Sequence, residues 1–352
     1  MKSKPGRRAT IFGISGCTNA GKTTIATRIV EKLSASGYHV SHHCMDDFFK
    51  QPEHVRTVPS AVNDTSEAFY YHYDEPHAVD AVAMAADIHR VSNERDIVIV
   101  EGNMLIELPE VFALLDKVVF VTMTKPACES RRLTRSYDPP DQPGYFDTVV
   151  WPEYEKHATN ARKLHQQGHE IDFVDGTAPL EANFDAIFRI AQSSFKNFVR
   201  IQNTPIETKL LENFVSLPSC GAVSSFIGTT RDNFNGKPVK LLEYECYEPM
   251  AYSELKAVCS TVRTAFPEIA RIAIVHRIGP VPIGEASVAI ATSSAHRDAA
   301  IRGTHLAIDT LKSTVPIFKK EIYCDGSKSW KENAEFKDLA GNLGHGKLNG
   351  CS

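Results

Sequence analysis

The stretch Gly16-Cys17-Thr18-Asn19-Ala20-Gly21-Lys22-Thr23 constrains the fold of this chain more than any other, because it meets the pattern G-x-x-x-x-G-K-[ST] at every fixed position. Its surroundings suit that pattern. Ile11-Phe12-Gly13-Ile14 before it reads as a short buried strand, and Ile25, Ile29, Val30 and Leu33 after it form the apolar face of a helix. Glycines let backbone N–H groups turn inward around a phosphate, and the helix N-terminus adds partial positive charge. Lys22 can reach terminal phosphates, and the Thr23 hydroxyl can hold Mg²⁺. Gly16, Asn19, Ala20, Gly21, Lys22, Thr23 and Thr24 are therefore candidate nucleotide-phosphate residues.

A chain of 352 residues accommodates two cores. Its net charge of −4 sets up no global field for nucleic acid. The eight cysteines are scattered, without a C-x-x-C pair or Cys/His metal spacing, so reduced thiols in a cytoplasmic protein are expected. His42-His43-Cys44 reads as a polar run near a strand end rather than a metal site. No apolar run approaches a membrane-spanning length, and the basic N-terminus lacks the apolar core of a secretory signal. Neither a membrane nor a nucleic acid is expected as a partner.

Past the first helix, Tyr38-His39-Val40-Ser41 reads as a strand leading into Asp46-Asp47-Phe48-Phe49-Lys50. A carboxylate at the C-terminal end of such a strand can take a proton from a substrate hydroxyl. Read alone, the pair is more simply solvated or a helix cap. Residues 51–75 read as a polar loop ending in Tyr70-Tyr71-His72-Tyr73-Asp74, an aromatic beside a carboxylate that suits a flat ring and a ribose hydroxyl. Ala78 to Val91 reads as helix. Asp96 to Gly102 is an apolar strand ending on Glu101, where an acid helps hold Mg²⁺. Lys117 to Val121 is another buried strand. Arg131 and Arg135, four apart, are expected on one helix face, which is either an ordinary charged face or a clamp over a phosphoryl group. Ile171 to Gly176 and Leu180 to Phe195 add a last strand and helix. Alternating strands and helices predict an α/β P-loop fold with a doubly wound parallel sheet.

Gly13-Ile14-Ser15-Gly16 with Thr18-Asn19, Asp46-Asp47-Phe48-Phe49-Lys50, and Pro139-Pro140-Asp141-x-Pro143-Gly144-Tyr145-Phe146-Asp147 with Trp151-Pro152 resemble nicotinamide riboside kinase over about residues 9–190. The resemblance implies a uridine-kinase-like P-loop kinase that transfers the ATP γ-phosphate to a riboside 5′-hydroxyl. It implies Asp46 as general base, and Tyr73 and Asp74 on the nicotinamide ring and ribose. Thr23 and Glu101 would organise Mg²⁺, and Arg131, Arg132 and Arg135 would form a lid over ATP. The loop at 51–69 departs from the family pattern.

Beyond the polar break Ser193-Ser194-Phe195-Lys196-Asn197 the pattern changes. Strands are expected at Phe198–Ile201, Gly221–Gly228, Lys240–Tyr247, Ile269–Arg277 and Ala286–Thr292, with helices at 251–265 and Arg297–Ser313. Antiparallel-looking strands among helices indicate α+β. Arg231, His296 and Arg297 can clamp a phosphate, and Lys312 and Lys319 around Pro316 are candidate nucleophiles or acid–base groups. By spacing alone, solvated helix-end lysines are the plainer alternative.

Taken together, Gly228-x-x-Arg231, Glu245-x-Tyr247-x-x-Met250, His276-Arg277-Ile278-Gly279, Ser294-Ala295-His296-Arg297 and Leu311-Lys312 with Pro316-x-x-Lys319-x-Glu321 resemble the catalytic (large) subunit of molybdopterin synthase, over about residues 199–335. That resemblance implies an α/β-hammerhead-like α+β domain and a homodimer through it, with no bound metal in this half. The implied reaction inserts sulfur into cyclic pyranopterin monophosphate, giving molybdopterin. Its sulfur source would be the C-terminal Gly-Gly thiocarboxylate of a small ubiquitin-like subunit. Lys312 and Lys319 would be catalytic, and Arg231, His296 and Arg297 would bind the pterin phosphate, in part from the neighbouring subunit. The chain itself ends Asn349-Gly350-Cys351-Ser352, so the donor is expected to be another protein.

The expected organisation is a kinase domain at 1–196, a synthase domain at 197–338 and a flexible tail at 339–352. The rival readings of the first half are a uridine-kinase-like enzyme or a non-catalytic nucleotide-binding module. For the second half the rival is a non-catalytic dimerisation module.

Overall fold

The computed structural model describes residues 9–60, 69–135 and 141–331. Pro139-Pro140 and the tail expected to be flexible lie outside the described residues. The chain divides into two compact units, one over Arg7–Phe195 and one from Lys196 onward.

In chain order the first unit runs β1 (Thr10–Gly16), α1 (Lys22–Ala35), β2 (Val40–Cys44), β3 (Thr57–Pro59), β4 (Phe69–Tyr71), α2 (Ala81–Ser92), β5 (Ile97–Glu101), α3 (Pro109–Phe112), β6 (Lys117–Thr122), α4 (Lys125–Leu133), α5 (Trp151–Gln166), β7 (Ile171–Asp175) and α6 (Leu180–Ser194). Five strands form one parallel sheet in the order β2-β5-β1-β6-β7. The central strands are apolar because both faces are covered. Every residue of β5 is buried, as are Ile11, Phe12 and Ile14 of β1. Each fully buried Ile or Val contributes about 1.5–3 kcal/mol over its exposed state. The loop after β1 emerges between its two neighbours, where parallel sheets open a crevice at the strands' carboxyl ends. Gly16 makes this exit possible. Its φ is +119°, and a Cβ there would stand 2.2 Å from the Val121 carbonyl oxygen on β6.

Two expectations are corrected here, and one helix is added. Residues 51–75 are not a plain loop: β3 and β4 pair as an antiparallel hairpin, Thr57 opposite Tyr71. Arg135 does not share a helix face with Arg131. The helix stops at Leu133, and the Thr134 and Arg135 N–H groups donate to the Arg131 and Arg132 carbonyls in a tight turn. Helix α5 has no counterpart in the sequence reading. Pro152 sits in its first turn, where a missing N–H costs nothing, and Tyr154, His157, Ala158 and Ala161 give it a buried stripe at helical spacing.

The second unit runs β8 (Asn197–Gln202), α7 (Thr208–Val215), β9 (Ala222–Thr229), β10 (Asn233–Phe234), β11 (Lys237–Cys246), α8 (Glu248–Ala265), β12 (Ile269–Arg277), β13 (Gly279–Pro282), β14 (Ala286–Ser294), α9 (Arg297–Thr314), β15 (Ile317–Tyr323) and β16 (Lys328–Lys331). One sheet has the order β8-β12-β14-β9; a second joins β10, β11, β15 and β16, with β13 also on β11. Helices α8 and α9 cover the first sheet, burying Leu255, Val258, Val262, Ile308 and Leu311 against Ile272, Ile274 and Ile290. The class is α+β, but β8 and β12 pair in parallel rather than antiparallel. Helix α7 and strands β10, β13, β15 and β16 add to the sequence reading.

Candidate functional site

The first unit encloses a cavity of about 1000 Å³ at the carboxyl ends of its strands. Its phosphate end is built by the glycine loop. Gly21, in left-handed conformation, turns the chain into α1, so that Lys22 and Thr23 occupy the first turn. The Lys22 Nζ donates to the Cys17 carbonyl at 2.8 Å, bridging the loop from below. Thr23 Oγ1 donates to Glu101 Oε1 at 2.9 Å, joining the start of α1 to the end of β5. Asp46, just past β2, lines the same cavity. Burial raises its pKa, and the nearby Glu101 charge raises it further, while Lys22 and Arg135 oppose the shift.

These residues fit a divalent cation. A hydroxyl and a carboxylate meet at one point, and the two carboxylates repel in a way that a cation would relieve. Thr23 and Glu101 would be its protein ligands. Among the described residues no cluster of three or more His, Cys, Asp or Glu forms an all-protein metal cage, and Mg²⁺ shared with phosphates needs none.

At the other end stand Tyr70, Tyr71, Tyr73 and Tyr145 around Asp74. The Asp74 carboxylate accepts from Asn103 Nδ2 at 3.1 Å and from the Tyr145 hydroxyl at 3.2 Å. Its main-chain carbonyl lies 3.1 Å from His157 Nε2. Burial raises the Asp74 pKa, and Arg132 works against that shift. Above the loop, Arg131 Nη1 donates to the Asn19 carbonyl at 3.4 Å, and Arg135 Nη1 to Asn19 Oδ1 at 3.5 Å. Arg132 is held by both carboxylate oxygens of Asp141. The cavity thus gathers Asn19, Gly21, Lys22, Thr23, Thr24, Asp46, Tyr73, Asp74, Glu101, Arg131, Arg132 and Arg135. Gly16 and Ala20 are buried and do not line it. The sequence reading missed Asn103 and His157 and assigned Tyr145 no role. Only Tyr145, within Pro143-Gly144-Tyr145, carried a signal that could have been followed.

The second unit holds a cavity of about 240 Å³ between the two sheets and the end of α9. Lys312, in the last turn of α9, and Lys319, on β15 two residues into the strand, both line it. Arg231 joins them from the turn after β9. Tyr244, His276 and Glu321 also line this cavity. Glu321 is 2% exposed and accepts from the Tyr323 hydroxyl. Burial pulls the His276 pKa down to about 4, and its Nδ1 lies 2.9 Å from the Arg277 carbonyl oxygen. His276 is therefore a neutral ring with its proton on Nδ1.

His296 and Arg297 do not belong to this cavity. They begin α9, exposed, and Lys312 lies fifteen residues along the same helix. At 1.5 Å per residue the separation is about 22 Å. The expected grouping of Arg231, His296 and Arg297 around one anion is therefore not formed within a single chain.

The chain thus joins a glycine-loop α/β unit with a strand-end acid to an α+β unit whose cavity is lined by two lysines and an arginine. The family model for MoaE protein matches residues 201–314. A molybdopterin synthase catalytic subunit of Dictyostelium discoideum is 51% identical over 140 residues, 39% of this chain and 89% of that protein. One from Drosophila willistoni is 49% identical over 138 residues, 39% of this chain, but the match spans only 37% of that protein. The chain belongs to the MoaE family through its second unit. A solved structure titled a possible uridine kinase, from Bacillus stearothermophilus, covers 49% of this chain and 91% of its own, at 15% identity and a TM-score of 0.32. Among the described residues no helix is long and apolar enough to cross a membrane.

Proposed function

We propose that the second unit is the catalytic part of a molybdopterin synthase, transferring sulfur from a thiocarboxylated small subunit to cyclic pyranopterin monophosphate. The observation that carries this reading is the meeting of Lys312, Lys319 and Arg231 in one small cavity. Arg231 offers a planar fork to the substrate phosphate. Lys312 and Lys319 stand where a lysine amine can attack an acyl carbon or move a proton during sulfur transfer. A second copy of the chain would bring its His296 and Arg297 to complete the anion pocket, which makes a homodimer part of the proposal. The donor would be a separate ubiquitin-like protein ending in Gly-Gly thiocarboxylate, with its tail entering the cavity. Incubating the purified chain with cyclic pyranopterin monophosphate and thiocarboxylated small subunit should give molybdopterin. Lys312→Ala should abolish the product, and a Lys312→Ala chain with full yield would sink the assignment.

For the first unit we propose an ATP-dependent riboside kinase, of the nicotinamide riboside type. What supports this reading is that Asp46 lines the same cavity as Lys22 and the glycine loop. Asp46 takes the proton of the riboside 5′-hydroxyl, Lys22 neutralises the terminal phosphates, and Arg131, Arg132 and Arg135 cover the transferring group. Tyr73 packs against the ring and Asp74 accepts from the ribose hydroxyls. When bound through Thr23 and Glu101, Mg²⁺ would supply charge neutralisation on the phosphates. Assaying ATP turnover with nicotinamide riboside, uridine and cytidine in parallel tests the reading. Phosphorylation of uridine alone would move the unit to the uridine-kinase class, and ATP binding without any turnover would make it a binding module.

A further inference from the structure

Cys17 is the second residue of the glycine loop, and Cys128 lies in α4, the helix that carries Arg131 and Arg132. Neither thiol enters the chemistry proposed above. Their sulfurs lie 3.4 Å apart, with Cys17 1% and Cys128 0% exposed. The Cys128 thiol also points at the Thr18 carbonyl, 3.5 Å away. Both backbones are anchored at one corner of the sheet: the Cys17 N–H donates to Val121 at the end of β6, and the Cys128 N–H to Thr124 at the start of α4. The other described cysteines are also free thiols, and Cys324 among them is exposed.

We propose that Cys17 and Cys128 form a reversible disulfide that shuts the phosphate site of the first unit. The proposal rests on the reading of the glycine loop as a nucleotide cradle. Cys128 is the attacking group: the Cys17 thiol donates to its sulfur at 3.4 Å, and that hydrogen bond, with Arg132, Lys22 and Arg131 nearby, favours the Cys128 thiolate against burial, while the same bond and burial hold the Cys17 thiol protonated. With a small hydroperoxide as oxidant, the Cys128 thiolate attacks one peroxide oxygen. An S–O bond forms, the O–O bond breaks, and the departing hydroxide takes up a proton as water. Cys17 sulfur then attacks the sulfenic sulfur of Cys128. The S–S bond forms, the S–O bond breaks, and the thiol proton leaves with the hydroxyl as a second water. Two thiols lose two electrons in total, and one hydrogen peroxide becomes two waters.

To bond, the sulfurs must close from 3.4 Å to about 2.05 Å. That draws the loop toward α4. The carbonyl that receives Lys22 Nζ belongs to Cys17 itself, and Arg132 Nη1 lies 3.5 Å from the Thr18 hydroxyl. The link therefore shifts the phosphate cradle and the arginine helix together, and a misplacement of about 1 Å at such a site costs on the order of a hundredfold in rate.

The test uses the full chain, reduced and then treated with hydrogen peroxide. Peptide mass mapping reads the link, and titration with ATP reads the site before oxidation, after it, and after dithiothreitol. A Cys17–Cys128 peptide should appear, ATP affinity should fall at least about tenfold, and reduction should restore it. Cys128→Ser should bind ATP as the reduced chain does and keep that affinity in peroxide; Cys128→Ala serves if the serine variant is poorly folded. Oxidation of Cys324 with no Cys17–Cys128 peptide would overturn the proposal, as would the linked peptide with unchanged ATP affinity. Failure of the reduced chain to bind ATP would instead refute the nucleotide reading, since the mass measurement reports the link independently.

Discussion

Replacing Gly16 with alanine should cost the first unit about 5 kcal/mol, from three contributions that the structure separates. Gly16 has φ +119°, a conformation reserved for glycine, which costs an L-residue about 1–3 kcal/mol. The new Cβ would lie 2.2 Å from the Val121 oxygen and 2.6 Å from its nitrogen, both rigid backbone atoms of the neighbouring strand. Relieving such overpacking costs about 1–3 kcal/mol. The same Val121 oxygen accepts the Cys17 N–H at 2.9 Å, and spreading the strands breaks that bond, at about 0.5–1.5 kcal/mol. For a domain of this size the loss corresponds to a fall in Tm of about 15 °C. Gly168→Ala is the matched control. Its φ is +90° but nothing lies within 4 Å of the added carbon, so only the conformational strain of about 1–2 kcal/mol applies. Differential scanning calorimetry of the full chain, with and without ATP, reads both variants. The Gly16→Ala protein should melt well below Gly168→Ala and lose the ATP-induced rise in Tm, whereas Gly168→Ala should keep it. Equal melting of the two would refute the argument that contact with Val121 makes this glycine obligatory.

Asp46→Asn should lower riboside phosphorylation by about 10²–10⁴-fold, with ATP affinity little changed. Because burial and Glu101 raise the Asp46 pKa, the acid limb of the wild-type rate profile should lie above the ordinary carboxylate range, activity falling as pH drops through it. A limb at an unshifted carboxylate value would contradict that. His276 has a folded pKa of about 4 against 6.5 unfolded, so the unfolded chain binds the extra proton first. Stability of the second unit should then fall between about pH 6.5 and 4, by at most about 3 kcal/mol, and His276→Gln should flatten this slope in urea titrations at several pH values. If the anion pocket is shared between two copies, mixing inactive Lys312→Ala with inactive His296→Ala chains should restore part of the molybdopterin yield. No recovery after verified subunit exchange would argue for a pocket complete in one chain.

The features legible in the sequence are those in which chemistry and position are neighbours along the chain. The glycine loop is one of these, since strand, turn, lysine and helix start within a dozen residues and backbone geometry alone joins them. Strands β5 and β6 are similar: continuous apolar runs reflect burial on both faces whatever they pair with. Helix α4 shows the limit. The spacing of Arg131 and Arg135 suggested one face, but the turn at Thr134 ended the helix between them, and one residue of helix end is below the resolution of periodicity.

What only the tertiary structure decided is which distant residues meet. Asp74 is held by Asn103, Tyr145 and His157, which stand 29, 71 and 83 residues away. No local pattern relates them, because each contact depends on how far α5 and the segment after β5 pack toward the sheet. The two cysteine sulfurs, 111 residues apart, are joined in the same way. Helix α9 works in the opposite sense. Arg231, His296 and Arg297 were expected to share one anion, yet a helix of 18 residues carries His296 and Arg297 at the end opposite Lys312, whose cavity Arg231 lines. The sequence determined the glycine loop, the buried strands and the two lysines around Pro316, since these follow from local sterics and burial. The fold alone decided that Lys312 and Lys319 share a cavity with Arg231 and not with His296, because helix length and sheet packing, rather than residue type, set those distances.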